Sequence, residues 1–460
     1  MITARSRRRL ARTGCVLVAA LAVGAVLPAS AEARPPKGDT ARVSEGPKGE
    51  QLDGPSYALG LSADGRSALF SSTATNLLPD GAANGGDVYV RDLRNGHVER
   101  ASVADDGSRL NAATSDASIS GDGRYVAFST AATNVLPGQA RHRSDVYVRD
   151  RWTGRTELVS AGRLTTTDDE TIRGADSPTL SRDGRYVAFA SDRTDLAAGV
   201  HRGKQNVFVT DRWTRTTRLV TVGTDGQGAD NNSFRPTISA DGGTVGFISR
   251  AGNLLPTAPA PSPAAAPEAA AALAGPRFYP YYVWKAATGK TTGASLDATG
   301  ALTGSGNDAR ISPDGRFALY ALPVYGVGRP GTHGIRMDLY VRELATGRTT
   351  LVNTPLPGTT TTEGAYDPAM TEDGRWVYFD SGADDLVPGD TNGQSDVFRR
   401  DLRTGRIERV TAALDGSQST GGSDSPYVDA TGDTVVFTAE DANLVPGDTN
   451  TQLDVFLRRL

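Results

Sequence analysis

Cysteine is almost missing from this sequence: Cys15 stands alone among 460 residues, so no disulfide can form within the chain. A fold of this length can bury a core without such staples, even in an oxidising compartment. Long apolar runs are missing as well. Val16–Pro28 is a stretch of 13 residues, against the roughly 20 that a membrane-crossing helix needs, and no membrane span is expected. Histidine is scarce: His97, His142, His201 and His333 fall in turns or loops, and none has the spacing of a His-Glu-x-x-His metal site. Basic charge is in deficit. Once the five arginines before residue 31 are set aside, 44 basic residues face 53 acidic ones. A nucleic-acid binder needs a basic face to neutralise phosphates, so nucleic acid is not an expected partner. Only five basic residues are lysines, and the arginine, alanine and glycine excess is that of a GC-rich bacterial genome.

The short apolar stretch has its own reading. Arg5, Arg7, Arg8, Arg9 and Arg12 precede it, and Ala29-Ser30-Ala31 follows it as an A-x-A site. Residues 1–31 therefore read as a secretory signal peptide cleaved before Glu32. Ser6-Arg7-Arg8-Arg9-Leu10 also resembles a twin-arginine signal, which leaves Sec and Tat export both open. Cys15 precedes the apolar region, so it reads as a residue lost with the leader and not as a lipid anchor. The expectation is an extracytoplasmic protein, in the periplasm or outside the cell, with a flexible start over residues 32–40.

What the chain has in abundance is repetition. Ser-x-Asp-Gly-Arg, followed by an alternating strand, places Asp-Gly at Asp64, Asp122, Asp183, Asp241, Asp314 and Asp373, with a degenerate copy at Thr431-Gly432. The spacings are 58, 61, 58, 73, 59 and 58 residues. Asp-Gly between alternating runs is a hairpin signal, because both residues tolerate positive φ. An aromatic stands six residues after each turn (Phe70, Phe128, Phe189, Phe247, Tyr320, Phe379, Phe437), and a small or β-branched residue two before it shares its face. A third run reads Asp-Val-Tyr-Val-Arg-Asp at Asp87 and Asp145, with variants in the other copies. A Thr-Gly or Asn-Gly turn and a fourth strand follow. Four antiparallel strands per unit and seven units predict an all-β, seven-bladed β-propeller over residues 41–460, with its aliphatics buried between adjacent blades.

The last copy ends at Leu460 after its third strand. Ala41-Arg42-Val43-Ser44 has the phase of a fourth strand without a blade: Ser44 precedes Ser62 by 18 residues, as Ser102 precedes Ser120. The N-terminal strand is expected to close the last blade and so remove a free sheet edge. The 73-residue spacing comes from a Pro/Ala-rich insertion, residues 256–280 of blade four, expected to be a disordered surface loop.

These repeats resemble the PD40 (WD40-like) repeat of TolB-type propellers. Ile311-Ser312-Pro313-Asp314-Gly315-Arg316-Phe317-Ala318-Leu319-Tyr320 carries the resemblance most fully, and it extends over residues 41–460. The resemblance implies a propeller and is weak on function, since such repeats occur in periplasmic scaffolds, on serine peptidases and in other secreted bacterial proteins. TolB proper has an α/β domain before its propeller. Only a few residues precede the first blade here, so partnership with a peptidoglycan-associated lipoprotein is not expected.

Chemistry is harder to read. Gly289-Lys290-Thr291 ends like a P-loop but lacks its upstream glycine, and Gly326-x-Gly328-x-x-Gly331 contains Pro330 and opens no helix. No G-x-S-x-G elbow is present. Asp390, Asn392 and Asp396 in blade six, and Asp448, Asn450 and Asp454 in blade seven, offer oxygen ligands that Ca²⁺ prefers, although an Asx-stabilised turn entering the third strand is the plainer reading. No other cofactor is expected. The first strand of a blade lines the channel, so Asp116, Arg235, Asp308 and Asp367, with Asp176 and Asp424 one position earlier, should ring one channel mouth. That ring could bind a cation, a sugar or a peptide terminus, but a merely solvated channel mouth is the plainer reading. The expectation is a monomeric, non-enzymatic binding or scaffold protein for a protein, peptide or glycan of the cell envelope or exterior. The alternatives are a cell-envelope structural module, and a carbohydrate-active hydrolase or lyase using the mouth carboxylates.

Overall fold

Each copy of Ser-x-Asp-Gly-Arg folds as a self-contained turn. In blade three, the Ser181 hydroxyl donates to Asp183 Oδ1 at 2.7 Å and accepts the Tyr186 amide at 2.9 Å, while the Asp183 carboxylate accepts the Arg185 amide at 2.9 Å. Gly184 stands at φ +68°, and a Cβ there would lie 2.3 Å from the Tyr125 ring of the preceding blade. Glycine is thus required twice, by conformation and by close approach. In blades two, three and six the motif arginine reaches the aspartate that ends the third strand of its own blade: Arg124–Asp150 at 2.6 Å, Arg185–Asp211 at 2.6 Å and Arg375–Asp401 at 2.8 Å. In these blades the repeat is one intrablade clamp spread over two strands.

The computed structural model describes residues 38–460 except 82–84, 139–142, 163–172, 257–277, 307, 328–333, 362, 414 and 441–442. The leader, residues 32–37, most of the blade-four insertion, His142, His333 and two glycines of the dinucleotide-like motif lie outside the described residues. The described residues form seven antiparallel sheets and no helix. Blade three is typical, with strands Ala175–Leu180, Tyr186–Ser191, Asn206–Asp211 and Thr216–Leu219 paired in order. Two departures from the expected boundaries appear in blades four and five. The third strand of blade four starts at Tyr279, inside the expected insertion limit, because Tyr279 and Pro280 pair with Ser305 and Gly304. Blade five has a long hairpin, Phe317–Val327 with Gly334–Glu343.

Closure follows the phase of the N-terminal strand. Thr40–Arg42 pairs antiparallel with Asp454–Arg459, and Val43 N donates to Val455 O at 2.7 Å. The strand thus begins at Thr40, within the stretch expected to be flexible.

Core clusters span neighbouring blades: Val146, Val148, Val187, Phe189 and Phe208 join blades two and three, and Val43, Phe70, Tyr89, Val436 and Leu457 join blade one to blade seven. In every blade the second-strand aromatic stacks on a third-strand aromatic, from Phe70–Tyr89 at 5.7 Å to Phe437–Phe456 at 6.0 Å. Such pairs add to the area they bury.

A second ring runs through the backbone at the Asp-Gly turns. Asp64 N donates to Gly121 O, Gly121 N to Arg182 O, Arg182 N to Ala240 O, Ala240 N to Pro313 O, Glu372 N to Ala430 O and Ala430 N to Ala63 O. The blade-five position is Pro313, which has no amide hydrogen to donate.

Candidate functional site

The first strands of the blades run down the channel from its mouth to the Asp-Gly turns. At the turn end, Leu61, Ile119, Leu180, Ile238, Ile311, Met370 and Val428 supply one apolar side chain from each blade around a cavity of about 200 Å³. Across the same end, Arg182 of blade three and Glu372 of blade six meet at 2.5 Å. An apolar girdle and a cross-channel ion pair make this end a floor. Asp116, Asp176, Asp367 and Asp424 lie toward the starts of their strands, at the other end.

At the mouth the first strands are irregular. In blades three, four, six and seven the register slips by one residue, between Asp176 and Thr179, Phe234 and Thr237, Tyr366 and Ala369, and Asp424 and Tyr427. Each bulge contains a proline (Pro178, Pro236, Pro368, Pro426), where no ladder donor is needed. The residue before each proline has left-handed φ: Ser177 +53°, Arg235 +50°, Asp367 +46° and Ser425 +53°. For non-glycine residues this costs on the order of 1–3 kcal/mol each and concentrates at functional sites.

Two acidic groups result. In blades two and three, Asp176 accepts a bond from Gln205 Nε2 at 2.9 Å, and the Ser177 amide lies 3.4 Å from Asp116 Oδ2. Burial, together with the Asp116 and Asp192 charges, pushes the Asp176 carboxyl up to about 6. In blades five to seven, Asp308, Asp367 and Asp424 gather around Asp380. Burial, then repulsion from Asp367, Asp424 and Asp308, holds the Asp380 carboxyl well above the usual range. Burial and Asp367 also raise Asp308 and Asp424. Asp380 is only 6% exposed, and its Oδ1 has no hydrogen-bond partner. Arg235 approaches Asp308 at 3.6 Å, and Arg310 lies over the Tyr427 ring at 5.0 Å while interacting with Asp367 and Asp308.

All six residues expected at the mouth lie on these channel-lining segments, in two groups rather than one even ring. Asp380, Arg310, Tyr427, Tyr57 and Tyr366 were missed. Asp380 comes from a second strand, where the other blades have Ser71, Ser129, Ala190, Ile248, Ala321 and Thr438. An alignment of the blades against one another exposes that departure. Tyr57 and Tyr366 occupy the same first-strand position and are 44% and 38% exposed at the mouth.

The carboxylates considered for Ca²⁺ are arranged differently from a cation cradle. Arg409 reaches Asp390 at 3.1 Å and Asp396 at 3.8 Å, and Arg42 reaches Asp448 at 2.8 Å and Asp454 at 3.4 Å. Asn392 turns its amide nitrogen to Asp396 at 2.9 Å, and Asn450 its own to Leu52 O at 2.9 Å. Arg100 repeats the pattern with Asp80 at 2.5 Å and Asp87 at 2.9 Å. In each of these loops a guanidinium lies between two carboxylates. The signal was present as Arg-x-Ser/Thr at Arg42, Arg100 and Arg409. Among the described residues no group of three or more His, Cys, Asp or Glu side chains is placed to hold a metal ion.

The fold and the channel define a seven-bladed β-propeller, consistent with the TolB-like, PD40-repeat propellers that the sequence resembles. No family model matches the chain, and no curated protein matches it. Among solved structures it is similar to an oligogalacturonate lyase from Vibrio parahaemolyticus, with TM-score 0.53, 13% identity, and 93% of this chain and 98% of that one covered. The β-propeller domain of the Trilobed protease from Pyrococcus furiosus has TM-score 0.49 and 15% identity, covering 88% of this chain and 94% of that one. A TolB-type protein from Agrobacterium tumefaciens has TM-score 0.39 and 14% identity, covering 86% and 98%. At these identities what is shared is the fold. The expectation that the chain is not an enzyme does not stand. The lyase has the same fold over nearly its whole length, so a chain filled by propeller repeats is no ground for excluding catalysis. Among the described residues no helix is long and apolar enough to cross a membrane.

Proposed function

We propose that the protein is an extracytoplasmic propeller that takes an oligosaccharide at the open mouth of its channel. The observation that carries this reading is the joint presence there of exposed aromatic rings, Tyr57 and Tyr366, and of carboxylates, Asp176, Asp308, Asp367 and Asp424. Aromatic faces cover the apolar face of a sugar ring, and carboxylate oxygens accept hydrogen bonds from its hydroxyls.

The test is a glycan array followed by titration calorimetry on the best ligand. Tyr57→Ala and Tyr366→Ala should each weaken binding by about tenfold, equivalent to about 1.4 kcal/mol. Unchanged affinity in both variants, or no glycan bound at all, contradicts the reading.

A catalytic version has its own support. Asp176 is pushed up to about 6 beside Asp116, so neighbouring carboxyls in different surroundings could divide acid and base roles on a bound sugar. Product release from the array ligand by the wild type, abolished in Asp176→Asn with binding retained, is the expected outcome. Retained turnover in that variant removes Asp176 from the role.

A further inference from the structure

The acidic wall of blades five to seven has a feature that neutral sugar binding does not require. Asp380 is buried, its Oδ1 has no hydrogen-bond partner, and the charges acting on it are the carboxylates Asp367 and Asp424 on first strands and Asp308 on the segment before Arg310. No repeat position demands a carboxylate there, since five of the other six blades have Ser, Ala or Thr and blade four has Ile248. The local cations do not cancel the charge. Arg235 pairs with Asp308 and is 55% exposed, and Arg310 is shared between Asp367, Asp308 and the Tyr427 ring. The four carboxylates thus outnumber the two guanidinium groups. An uncompensated buried acceptor of this kind is costly unless a donor reaches it.

Two observations narrow the donor. The side chains do not converge as a metal cradle, because among the described residues no three carboxylates are placed to ligate one ion. The wall is also bordered by an aromatic ring: burial, then Glu363, Asp380 and Asp308, raise the Tyr366 phenol, so the ring stands close to the same carboxylates while remaining 38% exposed. An aromatic face beside several acceptors and a surplus of negative charge suits a compact cation with several N–H donors. A strained backbone holds the arrangement. Asp367 at φ +46° and Ser425 at +53° sit on adjacent bulges, and the Ser425 hydroxyl lies 3.4 Å from Asp367 Oδ2.

We propose that the pocket formed by Asp308, Asp367, Asp380, Asp424 and Tyr366 holds the primary ammonium group of an amino sugar, an inference that rests on reading the mouth as a glycan site. The ammonium supplies three donors, one of them to Asp380 Oδ1, and its charge offsets the crowding of the carboxylates. The rest of the ring lies against the mouth aromatics as any sugar would.

The experiment compares a glucosamine oligomer with its fully N-acetylated counterpart by titration calorimetry just below neutral pH. The wild type should prefer the free amine by about tenfold or more, as expected for a charge-assisted, partly desolvated contact. Asp380→Asn, and separately Asp424→Asn in case the first variant folds poorly, should bring the preference to within about twofold while binding of the N-acetylated oligomer stays in place. Equal binding of the two oligomers by the wild type overturns the ammonium site and leaves the glycan reading standing. Failure of both oligomers and of every arrayed glycan overturns the glycan reading and this inference with it. A lysine-rich peptide binding more tightly than the amino sugar also overturns it, and assigns the pocket to a peptide amine.

Discussion

At the turn end of the channel the seven blades contribute one kind of residue seven times, an apolar side chain from Leu61 to Val428. At the mouth the equivalent strands contribute alanine, serine, aspartate and arginine at one level, and tyrosine, phenylalanine and aspartate at the next. Some carboxylates follow the same division, although Asp390 and Asp454 of the arginine-paired loops are also raised to about 6, first by burial. Asp92, Asp150 and Asp211, which end third strands near the turns, are held down to about 2, first by hydrogen bonds from Arg94, Arg124 and Arg185 respectively. Asp176, Asp308, Asp380 and Asp424 at the mouth are raised, first by burial. What repeats is therefore what folds the ring. What differs between blades carries a stability penalty, and a penalty retained at one place in a repeat protein marks function.

The comparison can be broken from the scaffold side. Deleting residues 40–46 removes the strand that closes blade seven, uncovers Val43 and leaves Asp448 and Asp454 without Arg42. The melting temperature should fall on the order of 10 °C, and an unchanged melting curve would show that closure does not hold the ring. A smaller effect is expected for Arg409→Ala, which leaves Asp390 and Asp396 facing each other without their shared guanidinium. That loss should cost about 3–5 kcal/mol in denaturant unfolding, with glycan affinity unaltered in the folded protein. A loss well below that range would show that Arg409 is not the counterion of the pair.

The ring, its blade count and its closure were legible because repetition averages out local noise. Six Asp-Gly turns and a Thr-Gly copy, all but one pair spaced 58–61 residues apart, and the phase of Ser44, left few other arrangements. The mouth was legible only in part. First-strand position identified Asp116, Asp176, Arg235, Asp308, Asp367 and Asp424 because that strand must face the axis. It could not show that they fall into two groups, around Asp176 and around Asp380. Asp380 was invisible to the same rule, since it stands on a second strand, and only its departure from Ser, Ala, Thr or Ile in the other blades marks it in the sequence. A local window contains Asp390, Asn392 and Asp396 but not Arg409, whose charge arrives from the next strand.

The smallest shift is the one that tests the central claim most directly. In the unfolded chain the Asp380 carboxyl titrates near the ordinary 3.8, and in the folded chain it titrates well above that value. Above the ordinary value, the wild type pays for keeping or taking up a proton, or for an unfavourable charge. Its stability therefore declines as the pH rises toward the raised value, and the loss is complete above it. Asp380→Asn escapes this loss. Thermal melting of the two proteins should place the variant higher at about pH 7, on the order of 2 °C, with the gap closing toward about pH 4. A variant that melts lower at neutral pH, by a margin that does not depend on pH, would mean that Asp380 is part of the scaffold and that the mouth is not held against the stability of the fold.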